Sequence, residues 1–171
     1  SRERLAAFLW PESDSERARG ALKQALHVIR RQLGSADAVL GTSELRLNPA
    51  HVESDVGAFL DALDTGRLDE AARLYRGPFL DGFHLPGAPE FEQWASTQRD
   101  TLERGYASAL ERLASAAEER GDAAASVGWL RRLQLLDPLS TRVTLRLMRA
   151  LDAAGERSAA LRCAQVHETL L

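Results

Sequence analysis

Residues 15–34 read SERARGALKQALHVIRRQLG, and how this stretch folds decides the architecture around it. Wound as a helix at roughly 100° per residue, Ala18, Leu22, Ala25, Leu26, Ile29 and Leu33 gather within an arc of about 100°. The far side carries Arg17, Lys23, Gln24, His27 and Arg31, with Arg19 and Arg30 on the flanks. From Arg17 to Arg31 there are five cationic side chains and no acidic one. Such a helix can bury one face and offer the other to phosphates and base edges. The plainer alternative is a solvated basic face on an ordinary core helix, because charge runs commonly serve solubility. The neighbouring segments weigh between the two.

On the N-terminal side, SRERLAAFLW (residues 1–10) reads as a short helix with Leu5, Phe8 and Leu9 inward. Pro11 stops it, because the residue before a proline is pushed out of helical geometry. Ser13 and Glu16 stand at the spacing of a capping box, which predicts the start of the next helix. Gly34 is placed to end it. Beyond Gly34, Ala38–Leu40 and Leu45–Leu47 are β-compatible runs separated by Gly41-Thr42-Ser43-Glu44, a hairpin turn. Helix, turn, long basic helix and hairpin is the order of a winged helix-turn-helix, whose second helix enters the major groove. Residues 1–50 are therefore expected to be the C-terminal part of such a DNA-binding domain. Arg17, Arg19 and Arg30 are candidates for phosphates, and Arg46 in the second wing strand is a further one. Lys23, Gln24, His27 and Arg31 are candidates for base edges.

Charge supports a localised contact. The net charge is −3, which argues against general attraction to nucleic acid. Residues 1–50 nevertheless hold eight Arg/Lys against six Asp/Glu, whereas residues 51–171 hold fourteen against nineteen. Aromatic residues are 6% of the chain and β-branched residues are sparse, a composition that favours helices. The single Cys163 rules out an intrachain disulfide and suits a reducing cytoplasm. No apolar run reaches membrane-spanning length. Both ends lie inside expected helices and read as cuts in a longer polypeptide.

Catalytic or metal chemistry finds little support. His27, His51, His84 and His167 are scattered, without a second ligand at a usual metal-binding spacing. There is no phosphate-cradling glycine loop and no nucleophile elbow. Glu118-Glu119 and Asp69-Glu70 read as solvated or dipole-favoured charges. Neither an enzyme activity nor a cofactor or metal is expected. Cys163, Trp94, Tyr106 and Trp129 read as core residues.

After Asn48-Pro49 the pattern becomes repetitive. Ser54 or Asp55 caps a helix running to about Asp64, and Thr65-Gly66-Arg67 turns it into a partner helix from Leu68 to Tyr75. Gly77 to Pro89 is rich in Gly and Pro and is expected to be a loop, anchored by Phe79, Leu80, Phe83 and Leu85. Helices follow from about Glu90 to Arg120, Ala123 to Leu136, Ser140 to Ala153, and Arg157 to the end. Gly121 and Gly155 are 34 residues apart, each between two helices, and Leu113, Ala117 and Leu130 match Leu147, Leu151 and Ala164 at that offset. A 34-residue helix-hairpin period is the tetratricopeptide signature. The fold class expected is mainly α: a partial winged helix-turn-helix with a short β-hairpin wing, then a tetratricopeptide-like repeat domain over residues 51–171. The connection Asn48–Ser54 is too short for a free tether, and Phe59 and Leu63 were candidates to close a contact with Leu5 and Phe8.

The blocks LAAFLWPE, ALKQAL followed by IRRQLG, LRLNP with SDVGAF, AARLYRGPFLDGF, Phe91-Glu92-Gln93-Trp94 and LRRLQLLDPLS together resemble the bacterial transcriptional activator domain and the winged helix that precedes it. The similarity extends over nearly the whole chain and includes the Streptomyces antibiotic regulatory proteins. The resemblance implies binding of double-stranded promoter DNA, commonly as dimers on direct repeats, and recruitment of RNA polymerase. It thus implies a homodimer, with the repeats serving dimerisation and polymerase contact. The alternative is a protein-interaction module within a larger signalling protein, with a degenerate winged helix. His27-Val28 departs from the small polar or basic residues usual in these relatives.

Overall fold

Helix ends in this chain are set by local hydrogen-bonding chemistry. In the computed structural model, which describes residues 1–170, the order is α1 (Arg2–Leu9), α2 (Ser15–Gln32), β1 (Val39–Leu40), β2 (Arg46–Leu47), α3 (Asp55–Asp64), α4 (Leu68–Leu74), α5 (Pro89–Glu119), α6 (Ala123–Leu136), α7 (Thr141–Ala153) and α8 (Arg157–Leu170). The structure is mainly helical, with one small antiparallel sheet among the described residues. At Gly121 and Gly155, φ is +70° and +80°. The glycine N–H bonds the carbonyl three residues back, and the next N–H reaches five back: Asp122 to Ala117 at 2.9 Å, Glu156 to Leu151 at 2.8 Å. This Schellman geometry recurs at Gly34 and Gly66. Identical terminators 34 residues apart are the structural form of the sequence period.

The start of α2 differs from expectation. Asp14, not Ser13, is the N-cap, and its Oδ1 accepts from the N–H groups of Glu16 at 3.1 Å and Arg17 at 2.9 Å. An ionised carboxylate at a helix N-terminus gains from the helix dipole as well as the hydrogen bonds, which a hydroxyl cannot match.

By packing, the chain divides into two compact units, Ser1–Gly57 with Gly77–Leu102, and Ala58–Arg76 with the chain from Glu103 onward. In the first, Ala6, Ala18, Leu22, Leu26 and Val39 form a core joined by Leu5, Trp10 and Leu45. Ile29 and Leu33, expected inward, are 39% and 51% exposed. The reason is reach: α1 has eight residues, about 12 Å, whereas α2 has eighteen, about 27 Å, so its last turns extend past α1. A second cluster of Ala88, Phe91 and Ala95 takes in Phe8, Leu9 and Leu85. Phe8 meets Phe91 and Trp94 edge-on at 5.7 and 5.9 Å between ring centroids. Trp94, read as core, is 41% exposed and borders this aromatic cluster.

The Gly/Pro-rich loop is held by backbone carbonyls and one carboxylate. Arg99 donates to the carbonyls of Phe79 at 2.7 Å and Leu80 at 3.1 Å. Glu92 Oε1 accepts from the Leu85 N–H at 2.5 Å, and that bond, with help from His84, holds the Glu92 carboxyl below its usual range.

In the second unit, Phe59 is 3% exposed, packs against Tyr75, and lies beside the backbone of Gly105 with Leu63. Tyr75 stacks on Tyr106 at 4.3 Å. Leu5 and Phe8 pack within the first unit, and Phe59 and Leu63 within the second. The remaining helices lie antiparallel in sequence. Ser126 near the start of α6 meets Glu118 near the end of α5, Gln134 late in α6 meets Thr144 early in α7, and His167 late in α8 meets Thr141. His167 is buried, with its second ring nitrogen 3.2 Å from the Pro138 carbonyl. Leu147, Ala117, Leu151 and Leu130 from the matched repeat positions are all buried.

Candidate nucleic-acid interface

The basic face of α2 survives folding, but not all its cations are equally free. Lys23, Gln24, His27 and Arg31 are exposed and lie on one side at i, i+1, i+4 and i+8. None of them makes an ion pair or side-chain hydrogen bond among the described residues. Arg17 is exposed and pairs with Asp14 at 3.2 Å. Arg19 pairs across to Glu3 on α1 at 2.8 Å. Both pairs are open to water, where an ion pair is worth little, so each guanidinium can exchange its partner for a phosphate.

Arg30 is placed differently. It is half-buried, and its Nη2 donates to the Val39 carbonyl at 2.9 Å. It therefore ties the end of α2 to the first hairpin strand. Arg30 and Arg31 also sit in the last turn of α2, where cations oppose the negative end of the helix dipole.

The hairpin is short. Val39 pairs with Leu47 and Leu40 with Arg46, and Asn48 extends the ladder through its N–H to the Ala38 carbonyl at 2.9 Å. Arg46 is exposed. Gly41, at φ +95°, lets the chain turn: a Cβ there would lie 1.7 Å from the Glu44 carbonyl oxygen.

Residues 1–50 bring together a group that linear reading missed. Arg2, Glu3, Arg19, Lys23, Thr42 and Ser43 line a cavity of about 550 Å³ between the start of α1, α2 and the hairpin turn. Arg2 Nη1 donates to the Thr42 carbonyl at 3.3 Å, and the Arg2 N–H to the Ser43 carbonyl at 2.9 Å. Three cations against one carboxylate, that of Glu3, leave the hollow net positive, which suits an anion such as a backbone phosphate. Arg2 and Thr42 are 40 positions apart, and no local pattern announces such a pair.

Other chemistries have no comparable arrangement. Among the described residues no three His, Cys, Asp or Glu side chains converge as metal ligands do. No helix is long and apolar enough to cross a membrane. Cys163 is half-buried, with the Gln134 amide 3.3 Å from its sulfur.

Comparison with known proteins bears mainly on the helical part. The model of the bacterial transcriptional activator domain family matches residues 54–170. An uncharacterised 47.3 kDa protein from the thcA 5′ region of Rhodococcus erythropolis is 34% identical over 118 residues, covering 66% of this chain and 26% of that protein. This chain thus spans about a quarter of that relative's length. No solved structure matches it.

Proposed function

We propose, for a chain that belongs to the bacterial transcriptional activator domain family, that it binds double-stranded promoter DNA through residues 1–50 and that its helical repeats serve dimerisation and contact with RNA polymerase. The family is regulatory, and the chain's general role is in transcription. The observation that carries the DNA reading is the exposed, acid-free face of Lys23, Gln24, His27 and Arg31 beside the cationic hollow of Arg2, Arg19 and Lys23. In this reading α2 lies in the major groove. Gln24 pairs with adenine and Lys23 or Arg31 with guanine, with His27 beside them. Arg17, Arg19 and Arg46 contact phosphates, which position without specifying. Arg30 is assigned chiefly to holding the hairpin, since one of its nitrogens is already spent there.

The test is fluorescence anisotropy with a pool of 30-base-pair duplexes over a range of salt. Neutralising about three phosphates gives a log–log salt slope near −2.7. Lys23→Ala and Gln24→Ala should flatten discrimination between selected and random duplexes by about 1–3 kcal/mol, whereas Arg17→Ala weakens both alike. Binding indifferent to salt and to all three changes would sink the reading. The competing reading is a repeat-based regulatory adaptor in a larger signalling protein. It draws support from the Arg17–Asp14 and Arg19–Glu3 pairs, which already neutralise two of the cations.

A further inference from the structure

We propose that the helical repeats carry a docking site for an acidic peptide segment, centred on Arg149. It lies wholly in the second unit, where the end of α5, the start of α6 and the second half of α7 surround a cavity of about 310 Å³. Gly121, Ala123, Ala150 and Ala153 line it, together with Glu118, Arg146 and Arg149. Small residues on α6, on α7 and in the turn before α6 leave room for an incoming side chain that a leucine on either helix would fill.

The charges on this face decide the chemistry of the occupant. Arg146 is largely buried, its side chain 18% exposed. It is bound by Glu111, by Glu118 at 2.9 Å and by Ser115 Oγ at 3.2 Å. Arg142 takes the other oxygen of Glu111. Both carboxylates that α5 contributes here are therefore engaged. Arg149 follows Arg146 by three positions, on the same face of α7, and is exposed. It makes no ion pair or side-chain hydrogen bond among the described residues. Three arginines against two glutamates leave one positive charge, and the guanidinium that carries it stands beside an apolar hollow. A carboxylate pairs with such a fork through two parallel hydrogen bonds. An apolar side chain next to that carboxylate enters the alanine-lined hollow. A nucleic-acid strand fits less well, because a phosphodiester backbone carries no apolar side chain beside its charge to enter the alanine-lined hollow.

The experiment is an NMR titration of the ¹⁵N-labelled 171-residue chain with a capped heptapeptide of alternating leucine and glutamate, and with its leucine–lysine counterpart. The acidic peptide should shift the amides of Ala123, Arg149, Ala150 and Ala153, and the basic one should not. Arg149→Glu should weaken the acidic peptide at least tenfold and Arg149→Lys only a few-fold. Ala153→Phe, at an exposed position in the lining, should abolish binding by filling the hollow, with the circular dichroism of each variant unchanged. Lys23→Ala, in the first unit, should leave the titration as it was, so this proposal fails or stands apart from the DNA reading. Absence of shifts at millimolar peptide, equal binding of the basic peptide or of a single-stranded oligonucleotide, or indifference to Arg149→Glu would overturn it.

Discussion

Arg30 donates from Nη2 to the Val39 carbonyl, while its Nε is buried with no partner among the described residues. Removing the guanidinium frees that carbonyl and loosens the hairpin from α2. Arg30→Ala should cost about 1–2 kcal/mol in urea unfolding, the range for a hydrogen bond to a charged group partly offset by relief of the unpaired nitrogen. Gly41 is a harsher site. Its φ of +95° already disfavours any side chain, and an added Cβ runs into the Glu44 carbonyl oxygen. Gly41→Ala should lose at least about 1–3 kcal/mol through backbone strain alone. Hydrogen exchange at Asn48, whose N–H closes the ladder onto Ala38, should then quicken while helix content holds. A hairpin unchanged by either substitution would mean that its packing against α2 does not fix it.

Between elements, α5 and α7 are joined by charge, through Glu111 and Glu118 on the one and Arg142 and Arg146 on the other. Burial pushes the Glu111 carboxyl up, but hydrogen bonds and charges from Arg142 and Arg146 outweigh it and hold the carboxyl below its ordinary 4.5. A carboxyl depressed on folding stabilises the folded state fully above its unfolded value and loses that contribution as pH falls through the folded one. Thermal unfolding of the chain should therefore show a contribution from this pair that is constant from neutral pH to about 4.5 and declines below it. Glu111→Gln should remove that part of the acid sensitivity and lower stability at neutral pH by about 1–3 kcal/mol. In the α3–α4 hairpin, Phe59 at 3% exposure is held by Tyr75 and the Gly105 backbone. Phe59→Ala should cost about 3–5 kcal/mol, measured by denaturant unfolding, and much less if the site collapses.

At the scale of the whole molecule, the change of sequence character near residue 50 is not the edge of a packing unit. Phe8 and Leu9 pack against Ala88, Phe91 and Ala95, and the first unit accordingly includes Gly77–Leu102. A fragment ending at residue 53 exposes those side chains, and it should show weaker helical circular dichroism and poorer amide dispersion per residue than a fragment ending at residue 102. Equal order in both would make the aromatic cluster dispensable to the basic helix. The helices, the hairpin and the glycine-terminated helix ends were legible in the chain because they depend on residues a few positions apart: a glycine able to take positive φ, a proline that cannot continue a helix, an apolar period of 3.6. The 34-residue offset between Gly121 and Gly155 was legible for the same reason, since each repeat ends by the same local geometry. The family blocks likewise point to a transcriptional regulator. Other features depended on which surfaces meet after the loops close. They include the exposure of Ile29 and Leu33 beyond the short α1, the turning of Arg30 toward Val39, the meeting of Arg2 with Thr42, and the engagement of Arg146 that leaves Arg149 uncovered. A helix's own periodicity specifies which side chains share a face; only the length and placement of the neighbouring element determine how much of that face is covered and which charges find partners.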